Sequence, residues 1–335
     1  MAENSKIEWC DHTFNPWEGC QKVGPGCDNC YAETRNARFG GGVAVNWGPG
    51  APRRRTSATN WRKPVQWNNQ GFYACANCGS RNAGRDGGDR DGAPTWMCST
   101  CGSERLKQAR PRVFCASLAD VFDNDAPTEW RDDLWRLIET TPHLDWLLLT
   151  KRIGNVRHMV WPRWMQSGFP PNVWLGATVV NQEEAERDIP KLLAVPARVR
   201  FLSIEPMLGP ICIECATDQA DDGTIDWVIA GGESGPAARP VHPDWLRALR
   251  DECEAFGVPF IFKQFGEWRP PMEGEKFNTA MGRAQKVPAF IVAPEGTVHC
   301  FENERTASGG KAMLRVGKKL AGRCLDGLTH DGFPV

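Results

Sequence analysis

The chain has 335 residues, 41% of them hydrophobic, which is enough to bury a large core and excludes collagen-like and disordered classes. Its 40 basic and 41 acidic side chains leave a formal charge of -1, so no global field draws it to nucleic acid, and any such contact has to come from a local patch. The opening Met1-Ala2-Glu3-Asn4-Ser5-Lys6 lacks the basic-then-apolar order of a secretory leader, and no run is apolar enough to span a bilayer, so a cytoplasmic protein with no membrane partner is expected.

In that compartment thiols stay reduced, and fourteen cysteines in clustered spacings point to metal before disulfides. Residues 1–70 are predicted to open on a strand near Ile7 to Thr13 and to run into a tight loop, Cys20-x6-Cys27-x2-Cys30, rich in Gly19, Gly24, Pro25 and Gly26. Three thiolates can ligate three irons of a four-iron, four-sulfur cluster and leave the fourth iron open for S-adenosylmethionine (SAM). The competing reading is a zinc site completed by Cys10 or His12. Further along, Arg53-Arg54-Arg55, Trp61-Arg62-Lys63 and Trp67 mix phosphate-pairing cations with flat rings that suit a nucleic acid or nucleotide, unless the tryptophans simply pack beneath a solvated loop.

Residues 71–107 break the pattern with a run rich in Gly, Asp, Arg and Asn that carries Cys75-x2-Cys78 and Cys98-x2-Cys101. Paired knuckles place two thiolates on each of two turns and close a tetrahedron around Zn2+, which predicts a small zinc-ribbon-like insertion; an auxiliary iron–sulfur cluster is the alternative. Cys212-x2-Cys215 stands alone and is expected to be a solvent-side pair of reduced thiols.

From 108 to 270 short apolar runs alternate with amphipathic stretches in units of roughly thirty residues, as βα repeats do. The runs are Val113–Ala116, Trp146–Leu149, Val173–Ala177, Val199–Leu202, Trp227–Ala230 and Pro259–Phe262; the helices expected between them include 129–140, 183–193 and 243–256. The fold class is α/β, a (βα) barrel or partial barrel. Polar residues end the strands in succession: Ser117 and Asp120, Thr150-Lys151-Arg152, Thr178 and Asn181, Ser203 and Glu205, Gly231-Gly232-Glu233, and Lys263-Gln264. Carboxyl ends of parallel strands converge on one mouth, so a shared site is expected there, although single members could merely cap helices. Lys151, Glu205, Glu233 and Lys263 are the candidate catalytic residues; Thr150, Ser203, Gly231, Gly232 and Glu233 are the candidate SAM contacts. For the two glycines a close backbone approach is an equal reading. Residues 271–335 form a C-terminal extension.

Several of these blocks together resemble the phage-associated three-Cys-motif proteins: Ile7-Glu8-Trp9, Asn15-Pro16-Trp17, the Cys20/Cys27/Cys30 loop, Asn60-Trp61-Arg62, Leu149–Arg152, Ser203-Ile204-Glu205-Pro206, Gly231–Gly235, Phe262–Gly266 and Gly317-Lys318-Lys319. The cysteine loop is similar to that of radical SAM enzymes, though three residues longer than the common C-x3-C-x2-C, and the Thr150-Lys151 strand end is similar to the spore photoproduct lyase branch. The resemblance implies a radical SAM/TIM-type fold, an iron–sulfur enzyme acting on a nucleobase, nucleotide or nucleic acid, an electron donor, a separately encoded partner protein, and a host-cell cytoplasmic setting. A zinc-stabilised nucleic-acid-binding protein without redox chemistry is the alternative, and a metal-independent barrel enzyme using Glu205, Glu233 and Lys263 is a third.

Overall fold

The computed structural model describes residues 3–81, 84–88, 94–217, 223–272, 289–300 and 309–334. Parts of two expected segments, 82–83 and 89–93 of the insertion and 273–288 and 301–308 of the C-terminal extension, lie outside the described residues. Among the described residues no helix is long and apolar enough to cross a membrane.

Seven parallel strands form the main sheet in chain order: β1 (His12–Phe14), β2 (Arg112–Cys115), β3 (Asp145–Thr150), β4 (Val173–Thr178), β5 (Val199–Ile204), β6 (Trp227–Gly231) and β7 (Phe260–Gln264). Spatial order that follows chain order means every crossover turns the same way, so the helices collect on one face and the sheet curls into a half-barrel. The first strand is shorter than the expected Ile7 to Thr13, because Cys10 N donates to Ile7 O at 3.2 Å and folds residues 7–10 into a turn.

Among the described residues the helices are α1 (Tyr31–Phe39), α2 (Ala58–Asn68), α3 (Thr128–Thr140), the short α4 (Val156–Met159) and α5 (Pro162–Ser167), α6 (Gln182–Leu193), α7 (Ile213–Thr217), α8 (Pro243–Ala255) and α9 (Lys318–Ala321). Alternation along each strand sorts the side chains. Trp146, Leu148, Leu175, Leu202 and Val228 face Leu134 and Ile138 of α3, Ile189 of α6 and Leu246 of α8 in the larger core. Leu148 is wholly buried there, worth about 1.5–3 kcal/mol over an exposed leucine. The intervening positions, Phe114, Leu147, Trp174, Phe201, Trp227, Ile229 and Ile261, form a second, aromatic-rich cluster with Trp9 on the inner face.

Among the described residues β1 and β7 do not pair. The tail runs antiparallel along β7 instead, with Phe262 N donating to His330 O at 3.1 Å and Gly332 N to Phe260 O at 2.9 Å. At the end of the repeat region, β8 (Trp268–Arg269) joins β9 (Ala289–Val292), β10 (Val298–Cys300) and β11 (Lys311–Arg315) of the C-terminal extension in an antiparallel sheet in the order β8-β11-β9-β10.

Candidate functional site

The inner-face positions run out to the carboxyl ends of the strands as Thr178, Ser203, Gly231 and Lys263, and one residue beyond them as Lys151 and Glu205, so these six gather at the carboxyl mouth. Lys263 Nζ donates to Glu205 Oε2 at 2.7 Å, and Gln264 Nε2 to Oε1 at 3.2 Å. Both members of this ion pair are mostly buried. Ser203 and Thr178 are buried neighbours in the β4–β5 register, and Thr178 Oγ1 has no hydrogen-bond partner among the described residues. Lys151 makes no ion pair among the described residues, although Cys30 and Glu184 lie within reach of its charge.

Thr150 points the other way. Its hydroxyl donates to Asp120 (2.8 and 3.0 Å), and the same carboxylate takes Lys151 N at 3.0 Å and Arg152 Nη1 at 3.1 Å. Arg152 then reaches the cysteine loop, with Nη1 3.5 Å from Cys20 Sγ and Nη2 2.7 Å from Gln21 O. Burial disfavours the Arg152 charge, but Asp120 and Cys20 outweigh it and hold the guanidinium more firmly charged than usual. Asp123 stands 3.8 Å from Arg152 and pairs with the wholly buried Arg53 at 2.5 Å.

The cysteine loop leaves β1 through Gly19, whose φ of +114° no side chain tolerates easily and where a Cβ would sit 2.5 Å from Asn46 O. Cys27 ends a single 3-10 turn and Cys30 precedes α1. All three thiols are free. Burial, with help from Asp120, pushes the Cys20 thiol up to about 12 against the pull of Arg152. Burial also raises Cys30, while the amides of Glu33 and Ala32 and the charge of Lys151 lower it.

Glu233 holds this loop down. Asn29 Nδ2 donates to Glu233 Oε2 at 2.9 Å, and Arg239 gives that carboxylate its backbone N (2.8 Å), Nε (2.9 Å) and Nη2 (2.7 Å to Oε1). The guanidinium also reaches Asp28 Oδ2 at 3.0 Å and Pro25 O at 2.9 Å. Burial would raise the Glu233 pKa, but these donors hold it below the usual carboxylate range. Gly232 is a close backbone approach, since a Cβ there would collide with Phe265 O. Asn29 and Arg239 were not legible as site residues: a lone amide and a lone cation in loops carry no periodic or spacing signal.

The second set is compact. The sulfurs of Cys75, Cys78, Cys98 and Cys101 all lie within 4.8 Å of one another and could hold a metal ion. Two similar turns carry them: Asn77 N and Thr100 N each point at a sulfur 3.4 Å away, and Gly79 and Gly102 have φ of +73° and +71°. Burial raises the Cys98 thiol, yet the amides of Cys101 and Thr100 and the neighbouring sulfurs bring it down to about 6. Such polarised thiols suit a cation.

Elsewhere the expectations divide. Arg53 is buried, Arg54 pairs with Glu18, Arg55 lies 4.4 Å over the Trp61 ring and pairs with Asp133, and Trp67 is buried against His12 at 4.3 Å. Arg53 and Trp67 thus belong to the packing. Asn181 caps α6 by accepting from Glu184 N at 2.9 Å. Cys212 and Cys215, expected as reduced thiols, are instead joined in a disulfide, because α7 begins between them and brings their Cα atoms to 5.4 Å.

A half-barrel of parallel strands with a three-cysteine loop over its carboxyl end and a separate four-cysteine group defines a cysteine-rich α/β protein equipped to hold metal. The chain belongs to the DUF5131 family, described as proteins of unknown function, whose model matches residues 4–334. No curated protein matches it in sequence. Among solved structures it is similar to that of a spore photoproduct lyase carrying a single tyrosine-to-phenylalanine substitution, with 8% identity, a TM-score of 0.28, and coverage of 89% of this chain and 92% of that one.

Proposed function

We propose that this protein is an iron–sulfur enzyme of the radical SAM type acting on a nucleobase, nucleotide or nucleic acid, with a zinc-stabilised insertion. The observation that supports it most is the placement of three free thiols on one loop over the mouth where Lys151, Ser203, Glu205, Gly231 and Lys263 converge. A four-iron cluster bound there would offer an open iron to SAM and an electron to its sulfonium, taken from an external donor.

The donor set fits that group. Cys20, Cys27 and Cys30 would be the ligands, and the Arg152 N–H already directed at Cys20 Sγ would stabilise thiolate charge once the proton leaves. Burial keeps Cys20 and Cys30 protonated in the metal-free protein, so loading has to release protons. Lys151 or Lys263 would meet the SAM carboxylate and Glu205 its ammonium, as charge-assisted hydrogen bonds allow. Glu233 acts through Arg239 and Asn29, which fix the loop.

The test is anaerobic reconstitution with iron and sulfide, metal analysis, and incubation of the reduced protein with SAM. About four irons per cluster, lost in Cys20→Ala, Cys27→Ala or Cys30→Ala, and 5′-deoxyadenosine production lowered in Lys151→Met, are the expected results. A colourless protein holding only zinc would instead favour a metal-stabilised nucleic-acid-binding protein, the reading that the compact four-sulfur group supports.

A further inference from the structure

A cavity of about 970 Å³ opens at the amino-terminal ends of the strands, opposite the cysteine loop. Arg112, the first residue of β2, forms part of its wall and is only 8% exposed. Its guanidinium makes no hydrogen bond or ion pair among the described residues, and its Nη1 is sealed from solvent without a partner. The guanidinium carbon lies over the Phe333 ring at 3.8 Å and over that of Trp174 at 5.7 Å, and such ring contacts use none of its N–H donors as conventional hydrogen bonds.

The neighbouring charges are otherwise engaged. Asp11 accepts from Arg81 Nη2 at 2.7 Å and from the Arg112 backbone N at 2.7 Å. Burial pushes Asp145 upward even with Arg110, Arg112 and Arg81 nearby. Burial likewise pulls Arg112 down to about 10, which leaves it charged at neutral pH. Arg198, exposed and lining the same cavity, also has no ion-pair partner among the described residues; Glu214 and Glu252 line the cavity as well, and Glu252 accepts from Glu214 N at 2.7 Å. Ring contacts offset only part of what burying a guanidinium without a hydrogen-bond partner costs, so packing alone does not account for Arg112.

We propose that this cavity binds a small organic oxyanion, a carboxylate or a phosphate ester, through the in-plane donors of Arg112, with Arg198 adding positive charge to the same cavity. The volume suits an organic molecule better than a bare inorganic ion. The site is independent of the cysteine loop.

Calorimetric titration of the full chain at fixed ionic strength with adenosine 5′-monophosphate, succinate and inorganic phosphate, with adenosine as an uncharged control, tests it. Saturable binding of adenosine 5′-monophosphate or succinate is expected, the preferred probe identifying phosphate or carboxylate as the source, with affinity falling about tenfold or more in Arg112→Met and less in Arg198→Ala, as loss of charge-assisted hydrogen bonds implies. Without ligand, Arg112→Met should melt at the same temperature as the wild type or higher. Absence of saturable binding, unchanged affinity in Arg112→Met, or a lower melting temperature or failure to fold in that variant would each overturn the proposal, the last by marking Arg112 as a structural residue.

Discussion

Replacing Arg152 with Met tests whether the strand-end network supports the cysteine loop. Arg152 is 6% exposed at its side chain and is bonded to Asp120, Cys20 and Gln21. Its loss leaves Asp120, 7% exposed, with Thr150 Oγ1 and the backbone amides of Lys151 and Phe122, all neutral donors. Asp123 retains Arg53. Breaking a buried pair by removing one partner costs about 3–5 kcal/mol, most of it from the abandoned charge. The double variant Arg152→Met/Asp120→Asn removes that charge as well, so the two changes should be strongly non-additive, the pair being less destabilised than Arg152→Met alone. Denaturant unfolding of the metal-free protein under reducing conditions measures both. A loss below about 1 kcal/mol in Arg152→Met, the range of a solvent-exposed ion pair, would refute the argument that this network is a buried support.

Cys75→Ser should remove about one zinc ion per chain, read by metal analysis, and leave the seven-stranded sheet folded by circular dichroism, since one tetrahedral site needs all four sulfurs. Lys263→Met, which leaves Glu205 with Gln264 as its one neutral donor among the described residues, should abolish the proposed SAM cleavage, read as 5′-deoxyadenosine, whereas Lys263→Arg should retain part of it. Stability of the metal-free protein should fall with alkalinity. Burial raises the thiols of Cys10 and Cys253 to about 12 in the folded state; their contribution is full below the unfolded thiol pKa near 8.5 and is lost as pH climbs from there towards 12. A flat urea midpoint between pH 8 and 10 would contradict this.

The repeat of strand and helix was legible because strands buried on both faces read as short apolar runs, and Val173–Thr178 is buried at every position. The four-cysteine group was legible from its knuckle spacing, because each C-x2-C pair is a local geometry. The orientation of strand-end residues was not. Thr150 and Lys151 adjoin in sequence, yet one turns to Asp120 and the other to the mouth, since successive side chains on a strand take opposite faces. Glu233 illustrates a second limit, because its partners Asn29 and Arg239 come from loops that no periodicity marks. The disulfide of Cys212 and Cys215 depended on where α7 begins.

The fastening of the cysteine loop has a kinetic consequence. Asn29 meets Glu233 across 204 positions of chain, and Asp28 meets Arg239 across 211. Contacts of such long range form only after the intervening strands have ordered, because a large loop has to close before they reward it. Arg152, just after the third strand, can hold the Cys20 end of the loop earlier, but the end that carries Cys27 and Cys30 is fully fastened only when the sixth strand and its following turn are in place. Assembly of any inorganic group on them is then a late event, following the folding of the sheet rather than nucleating it.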